Sequence, residues 1–290
     1  MPETLILSGK EVSKTVYQEL HPRIEALQQR GITPGLAVVL VGNDPASQVY
    51  VRSKTRKFAN LNLFSETIRL PENSTPEDVL KTITDLNQDE RFHGILVQLP
   101  LPRHIPSQPI LEAIDPRKDV DGFHPENLGR LVLGKPRFIP CTPKGIMRIF
   151  RHYHIPLEGK HVVILGRSAI VGRPLSILTS LKQKAANATT TLCHSRTTNI
   201  EGHTRQADIL IAALGSPEFV NQQHIKEGVV IIDVGINRMA DDSEKGYHLV
   251  GDVKRTAVEG IASALTPVPG GVGPMTIAML VENTVEAAEK

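Results

Sequence analysis

The chain has no tryptophan, 4 tyrosines and 7 phenylalanines among its 290 residues. A core built from it is therefore aliphatic. Cysteine is nearly absent: Cys141 and Cys193 are the only two. That excludes a disulfide framework and suits a reducing cytoplasm. Charge of one sign is also missing, since 33 Lys and Arg against 31 Asp and Glu leave +2. No global field gathers a polyanion, so nucleic acid is set aside as the main partner. No apolar run reaches the ~20 residues of a membrane span, and no membrane partner is expected. The opening MPETLILSGKEV has too short an apolar patch for a signal peptide and no Arg-rich transit pattern. At 22%, charged residues match ordinary globular usage, which excludes disorder as the main state. Glycine (22) and proline (21) are plentiful and belong in shaped loops. The length corresponds to about two domains.

Short β-branched runs alternate with amphipathic stretches. Leu36–Gly42, Gly94–Gln98, His161–Leu165, Thr190–Cys193, Asp208–Ala212 and Val229–Val234 read as buried strands, and Leu63–Arg69 as a weaker one. Helical periodicity fits Ser13–Gln29, Ala46–Leu61, Pro76–Gln88, Lys144–Arg151, Val171–Gln183 and Met275–Ala288. Repeated strand, helix, strand predicts an α/β fold with parallel sheets and helices on both faces. Asp115–Lys144, rich in Pro, Gly and charge, reads as loop leading to a second unit. The boundary falls near Cys141–Lys144. The final helix follows a glycine-rich turn and is expected to pack back on the first domain.

His161–Leu165 runs into Gly166-Arg167-Ser168-Ala169-Ile170-Val171-Gly172-Arg173-Pro174 and then a helix. Strand, glycine turn and helix N-terminus form the layout that cradles a pyrophosphate on free N–H groups. The spacing is not GxGxxG, since Gly166 and Gly172 lie six apart and Ser168 stands in the second glycine's place. A tight strand–helix turn without a ligand is the alternative at this point. The next strand ends in His194-Ser195-Arg196-Thr197 and lacks the acid that holds a ribose 2′-OH in NAD sites. A hydroxyl and a guanidinium suit a 2′-phosphate, which points to NADP, although Arg196 also fits a solvated surface. Arg167 adds charge from the first turn. Ala212–Pro217 and Asp233–Asn237 also end strands in glycine turns; taken singly each reads first as ordinary turn chemistry, and on a nucleotide-binding edge the backbone at Ile236 would meet the nicotinamide end.

In Ala46–Leu61, Tyr50, Val51, Phe58 and Leu61 form a stripe that includes Lys54, with Tyr50 and Lys54 as i,i+4 neighbours. A lysine on an inward face snorkels, pairs with an acid or is partly desolvated. Lowering its pKa from ~10.4 to near neutrality takes about 4 kcal/mol of differential environment, which a walled cleft can supply. Such an amine both takes and gives protons. Gln98 ends a strand whose continuation, Leu99-Pro100-Leu101-Pro102, lacks N–H groups for pairing. It is placed to hydrogen-bond a lysine or a ligand. Lys118–Phe123 (KDVDGF) sets Asp121 in a glycine turn. Its carboxylate matches an N–C–N edge with two parallel hydrogen bonds, or is simply a turn former. Thr266–Thr276 (TPVPGGVGPMT) is a rigid loop at a helix start. It binds an anion, walls a cleft or makes a tight crossover.

The motifs YVRSKTR (Tyr50–Arg56), VQLPLP (Val97–Pro102), KDVDGF, PCTPKG (Pro140–Gly145), GRSAIVGRP (Gly166–Pro174), HSRT (His194–Thr197), DVGIN (Asp233–Asn237) and TPVPGGVGPMT, in this order over nearly the whole chain, closely resemble the bifunctional methylenetetrahydrofolate dehydrogenase / methenyltetrahydrofolate cyclohydrolase family. The resemblance implies an N-terminal folate-binding α/β catalytic domain (1–142). It also implies a Rossmann-like, doubly wound NADP-binding domain (143–268), and a loop and helix (269–290) returning to the first. It makes Lys54 the acid/base of the hydrolysis, Tyr50 a substrate-placing neighbour, Gln98 the group orienting Lys54, and Asp121 the pterin anchor. Val97 and Leu99 flank Gln98 on the substrate side, and Pro269, Gly270, Gly271, Val272 and Gly273 line it. Gly166, Arg167, Ser168, Gly172, Ser195, Arg196 and Ile236 would hold NADP. The implied activity is oxidation of methylenetetrahydrofolate and hydrolysis to formyltetrahydrofolate in one cleft, by a cytoplasmic homodimer.

Two rivals remain at this stage. One is a related two-domain hydroxy-acid dehydrogenase with a Lys–Asp pair, the other a non-catalytic NADP sensor. The i,i+2 pair His152 and His154 has no acid or cysteine nearby in sequence and reads as surface rather than metal site.

Overall fold

Seven small or apolar residues, Gly35–Val41, form a strand whose every side chain is buried. The computed structural model, which describes residues 3–242 and 246–290, explains why this run does not alternate. The strand is the middle of a three-stranded parallel sheet in the order Phe64–Leu70, Gly35–Val41, Gly94–Val97. A central parallel strand is covered on both faces, so both sets of side chains are apolar. This sheet belongs to a compact unit of Thr15–Cys141 and Ile277–Lys290. The last helix, Val272–Ala288, has its residues from Ile277 onward in this unit.

The other unit comprises Thr142–Thr276 and the chain up to Lys14. Its six-stranded parallel sheet has the order Leu5–Ile6, Ala264–Leu265, Val230–Asp233, Ile209–Ala212, His161–Leu165, Thr189–Cys193. From His161–Leu165 the next strand in sequence lies to one side and all later ones to the other. That reversal is the switch point of a doubly wound sheet, and ligands bind outside the strand ends there.

The expected strands and helices are present with ends moved by a few residues. Caps explain several of the ends. Asp44 accepts from the Ser47 N–H at 2.7 Å and starts Pro45–Asn60. Thr75 and Asp78 close a capping box ahead of Pro76–Gln88. Asp115–Lys144, read as loop, is corrected by Pro125–Val132, an eight-residue helix whose first turn is capped by His124 Nδ1. Asn237–Ala240 and Tyr247–Val250 pair antiparallel as a further unforeseen element. The last helix begins at Val272 rather than Met275, with Pro274 in its first turn.

Candidate active site

The helix Pro45–Asn60 buries Ser47, Val51 and Phe58. Adding Lys54 gives the 47, 51, 54, 58 spacing of one helical stripe, so the lysine does fall on the inward face. Tyr50 does not. It is 42% exposed and lies beside the stripe, which corrects the expected Tyr50–Leu61 line.

Lys54 is half-buried, and its Nζ donates to Gln98 Oε1 at 3.1 Å. The Gln98 amide is pinned at its other end, where Nε2 donates to the Leu99 carbonyl at 2.7 Å. Its backbone N–H bonds to the Val39 carbonyl, so the sheet fixes its position as well. Val97 is buried on one side of it and Leu99 half-buried on the other. Burial pushes the Lys54 amine below its ordinary pKa, and the nearby Asp121 carboxylate partly offsets this.

The KDVDGF loop has a local reason for each residue around Asp121. Lys118 Nζ donates to the Leu86 and Asp89 carbonyls, satisfying the end of the Pro76–Gln88 helix. Asp119 is buried and accepts from the N–H groups of Gly122, Phe123 and His124 and from Asn127 Nδ2, which curls the loop around it. Desolvation nevertheless raises its pKa to about 6. Gly122 has φ +77°, and a Cβ there would sit 2.8 Å from Pro140 N. Asp121 is left over from this scaffolding. Desolvation raises its carboxyl above the usual range, while the Lys54 charge and a hydrogen bond with Cys141 oppose that rise. Sequence reasoning missed Asn283. It is buried on the last helix and donates to the Val120 carbonyl at 2.7 Å and the Ile139 carbonyl at 3.1 Å, joining the two segments that flank Asp121.

In the other unit, Gly166 stands at the switch point. A Cβ on it would lie 2.1 Å from the Ala213 carbonyl oxygen, and one on Gly172 would lie 1.8 Å from the Gly166 carbonyl oxygen. The six-residue spacing therefore brings the two glycines into contact and seats the Gly172–Ser180 helix directly on the turn. The helix amides are not free as the sequence suggested. Ser168 Oγ accepts from Val171 N at 3.1 Å and Gly172 N at 3.5 Å, and its carbonyl accepts from Arg173 N. Exposed Arg167 and Arg173 add positive charge here. A cation in the first turn of a helix opposes the helix dipole unless an anion sits beside it. That was the overlooked signal at Arg173.

The neighbouring strand leaves the same edge, with Gly166 N donating to the Cys193 carbonyl at 2.9 Å. The His194–Thr197 loop closes on itself through His194 N to Thr197 Oγ1 and Arg196 N to His194 Nδ1. Ser195 and Arg196 are exposed there. A cavity of about 170 Å³ is lined by Val234–Ile236, Leu249 and Pro267–Pro274, a range that includes Pro269, Gly270, Gly271, Val272 and Gly273. Ile236 is 43% exposed, and its Cδ1 lies 3.5 Å from where a Gly273 Cβ would be. Exposed Arg167, Arg173, Ser195 and Arg196 gather guanidinium and hydroxyl groups beside the Gly166 turn, so the residues present fit a phosphorylated dinucleotide.

Residues 7–121 match the catalytic-domain model, and residues 140–290 the NAD(P)-binding-domain model, of tetrahydrofolate dehydrogenase/cyclohydrolase. The chain is 53% identical over 290 residues to bifunctional protein FolD of Chlorobium chlorochromatii, covering 99% of this chain and 98% of the relative. Among solved structures, the bifunctional FolD enzyme of Campylobacter jejuni is 47% identical with a TM-score of 0.93, covering 99% of each chain. The Trypanosoma brucei methylenetetrahydrofolate dehydrogenase-cyclohydrolase, complexed with NADP cofactor and inhibitor, is 38% identical with a TM-score of 0.94, covering 100% of this chain and 98% of that one. With both domain models matched in order and relatives aligned end to end, the chain belongs to the tetrahydrofolate dehydrogenase/cyclohydrolase family.

Proposed function

We propose that the chain oxidises methylenetetrahydrofolate to methenyltetrahydrofolate with NADP and then hydrolyses the product to formyltetrahydrofolate. The observation that carries this reading is the Lys54 amine, desolvated, hydrogen-bonded to Gln98 and facing the charge of Asp121, in a chain of this family.

NADP, when bound, supplies the hydride acceptor. Gly166, Ser168 and Gly172 shape the turn beside which its pyrophosphate would sit, with Arg167 and Arg173 as counter-charges. Ser195 and Arg196 take the 2′-phosphate, and Ile236 meets the nicotinamide end. Arg matches phosphate oxygens in a planar fork, which favours NADP over NAD. The oxidised one-carbon bridge is a delocalised cation, so the oxidation needs alignment more than a proton acceptor. Asp121 holds the pterin edge through paired hydrogen bonds, Tyr50 flanks the substrate, and Pro269–Gly273 lines its path. Hydrolysis is different: water loses one proton as it adds, a ring nitrogen gains one as its bond to the one-carbon bridge breaks, and the added hydroxyl releases its remaining proton to solvent as the formyl carbonyl forms. The neutral Lys54 amine takes the first proton and its ammonium form returns the second, with Gln98 holding Nζ in one direction. The reading extends to a homodimer and a cytoplasmic location on the family resemblance alone.

The test is absorbance at the NADPH band with methylenetetrahydrofolate supplied, run with NADP and NAD side by side. Reduction with NADP well above that with NAD is expected. Binding of NADP without turnover would leave the sensor reading standing instead.

A further inference from the structure

Two adjacent parallel strands, Ile209–Ala212 and Val230–Asp233, end side by side and lead into the turns at 213–216 and 234–237. One carboxylate holds both turns. Asp252 is fully buried. Its Oδ2 accepts from Leu214 N at 2.6 Å and Gly215 N at 2.9 Å. Its Oδ1 accepts from Ser216 N and from Asn237 Nδ2, each at 2.9 Å.

Asp252 is itself hung from Asp233. Asp233 Oδ1 accepts from the N–H groups of Gly235 and Asp252, and Oδ2 accepts from Val253 N. The packing leaves no room for side chains beside the carboxylates. A Cβ at Gly235 would lie 2.3 Å from Asp252 Oδ1, and one at Gly251 would lie 1.7 Å from Asp233 Oδ2.

Ordinary turn hydrogen bonds close one turn at a time. A carboxylate with two acceptor oxygens joins donors from separate segments, and bonds to a charged acceptor are stronger than neutral ones. The arrangement therefore ties the 213–216 turn to Asn237, while Asp233 holds Gly235. Ile236 lies between the two pinned residues, with its own side chain open to the cavity.

We propose that Asp252 is a positioning residue for the cofactor, clasping the 213–216 and 234–237 turns at one fixed separation so that Ile236 meets the nicotinamide end. This rests on the placement of NADP in the proposed function. The carboxylate itself touches no ligand and acts through the two turns.

Two variants test it. Asp252→Asn keeps the shape but turns half of the acceptor into a donor facing N–H groups. Asn237→Ala opens the clasp from its outer end and leaves the three backbone bonds to Asp252 in place. In each, NADP affinity and dehydrogenase kcat/KM for NADP are expected to fall about tenfold, the factor that about 1.4 kcal/mol represents. The KM for methylenetetrahydrofolate should hold. Hydrolysis of methenyltetrahydrofolate, which consumes no nucleotide, should fall far less than the oxidation. Equal loss of both activities would mark a merely structural role and overturn the proposal, as would unchanged NADP affinity. If Asp252→Asn does not fold, Asn237→Ala decides alone. A parent protein that neither binds NADP nor reduces it would instead bring down the functional reading, and the clasp's role with it.

Discussion

Lys54 Nζ donates to Gln98 Oε1 at 3.1 Å, and Gln98 Nε2 donates onward to the Leu99 carbonyl at 2.7 Å. The second bond fixes which end of the amide faces the amine. The amine therefore meets an acceptor and is held in one direction without being neutralised. Replacing Lys54 by Met keeps the stem and removes the proton carrier. Cyclohydrolase activity should fall by about a hundredfold or more, the scale of general acid–base catalysis, with a much smaller loss of dehydrogenase activity. Both are measured on one preparation, by methenyltetrahydrofolate consumption and NADPH formation. Equal losses would favour the hydroxy-acid type of chemistry, in which the lysine serves the oxidation itself.

Asp121 opposes the effect of burial on Lys54. In Asp121→Asn the desolvation remains and the counter-charge is gone, so the ammonium form becomes less favourable and the amine releases its proton at lower pH. If the neutral amine is the base, the acidic limb of kcat for hydrolysis should move to lower pH. The limb is read from kcat at saturating substrate, so weaker pterin binding in this variant does not mask it. A limb that stays in place would separate Asp121 from the titration of Lys54.

Much of this site was legible in the sequence because its signals are local. The buried strand Gly35–Val41, the inward Lys54 and the strand-end Gln98 each follow from spacing within a dozen residues. The stripe departs from its expected line at Tyr50, whose ring is exposed while the polar Ser47 is buried instead. Asn283 and Asp252 were not legible, since their partners lie far along the chain: Val120 is 163 residues from Asn283, and Leu214 is 38 from Asp252. A buried polar side chain announces itself only when the fold shows what it bonds. The Asn237–Ala240 strand was missed for another reason, since three of its four residues are exposed and it carries no apolar alternation.

Arg196 is exposed beside the closed His194–Thr197 loop, and its backbone N–H rather than its guanidinium holds that loop. Its side chain is thus available to a 2′-phosphate. Arg196→Ala should weaken NADP binding about tenfold or more, as for loss of a hydrogen bond to a charged group, and leave NAD binding nearly unchanged. Titration with both dinucleotides checks this. Unchanged NADP affinity would remove Arg196 from the phosphate pocket.

Gly172 faces the opposite constraint, a lack of space. A Cβ placed there would lie 1.8 Å from the Gly166 carbonyl oxygen, a backbone atom that cannot swing away. Gly172→Ala should force the helix off the turn, costing about 3 kcal/mol or more and lowering Tm by several degrees. NADP affinity should fall with it. A variant as stable as the parent would show that the turn relaxes at little cost.

Asp233 gives a stability prediction of unusual sign. It is buried, and desolvation, reinforced by the neighbouring Asp252 charge, raises its pKa to about 7 despite three backbone N–H donors. An unfolded Asp titrates near ~3.9. The folded chain therefore holds this proton more tightly than the unfolded chain does. The stabilisation is fully present below about pH 4 and is lost as pH rises toward about 7, the reverse of a salt-bridged carboxylate. Asp233→Asn mimics the protonated form: its oxygen still accepts from Gly235 and Asp252, and its amide gives up only the Val253 bond. The Tm of the parent should decline relative to that of Asp233→Asn between pH 5 and pH 7, by several degrees. Asp119, whose pKa is raised to about 6, titrates in both proteins and cancels in the difference. Parallel Tm curves across this range would mean that Asp233 is already ionised well below pH 5 and that its three backbone donors outweigh its burial.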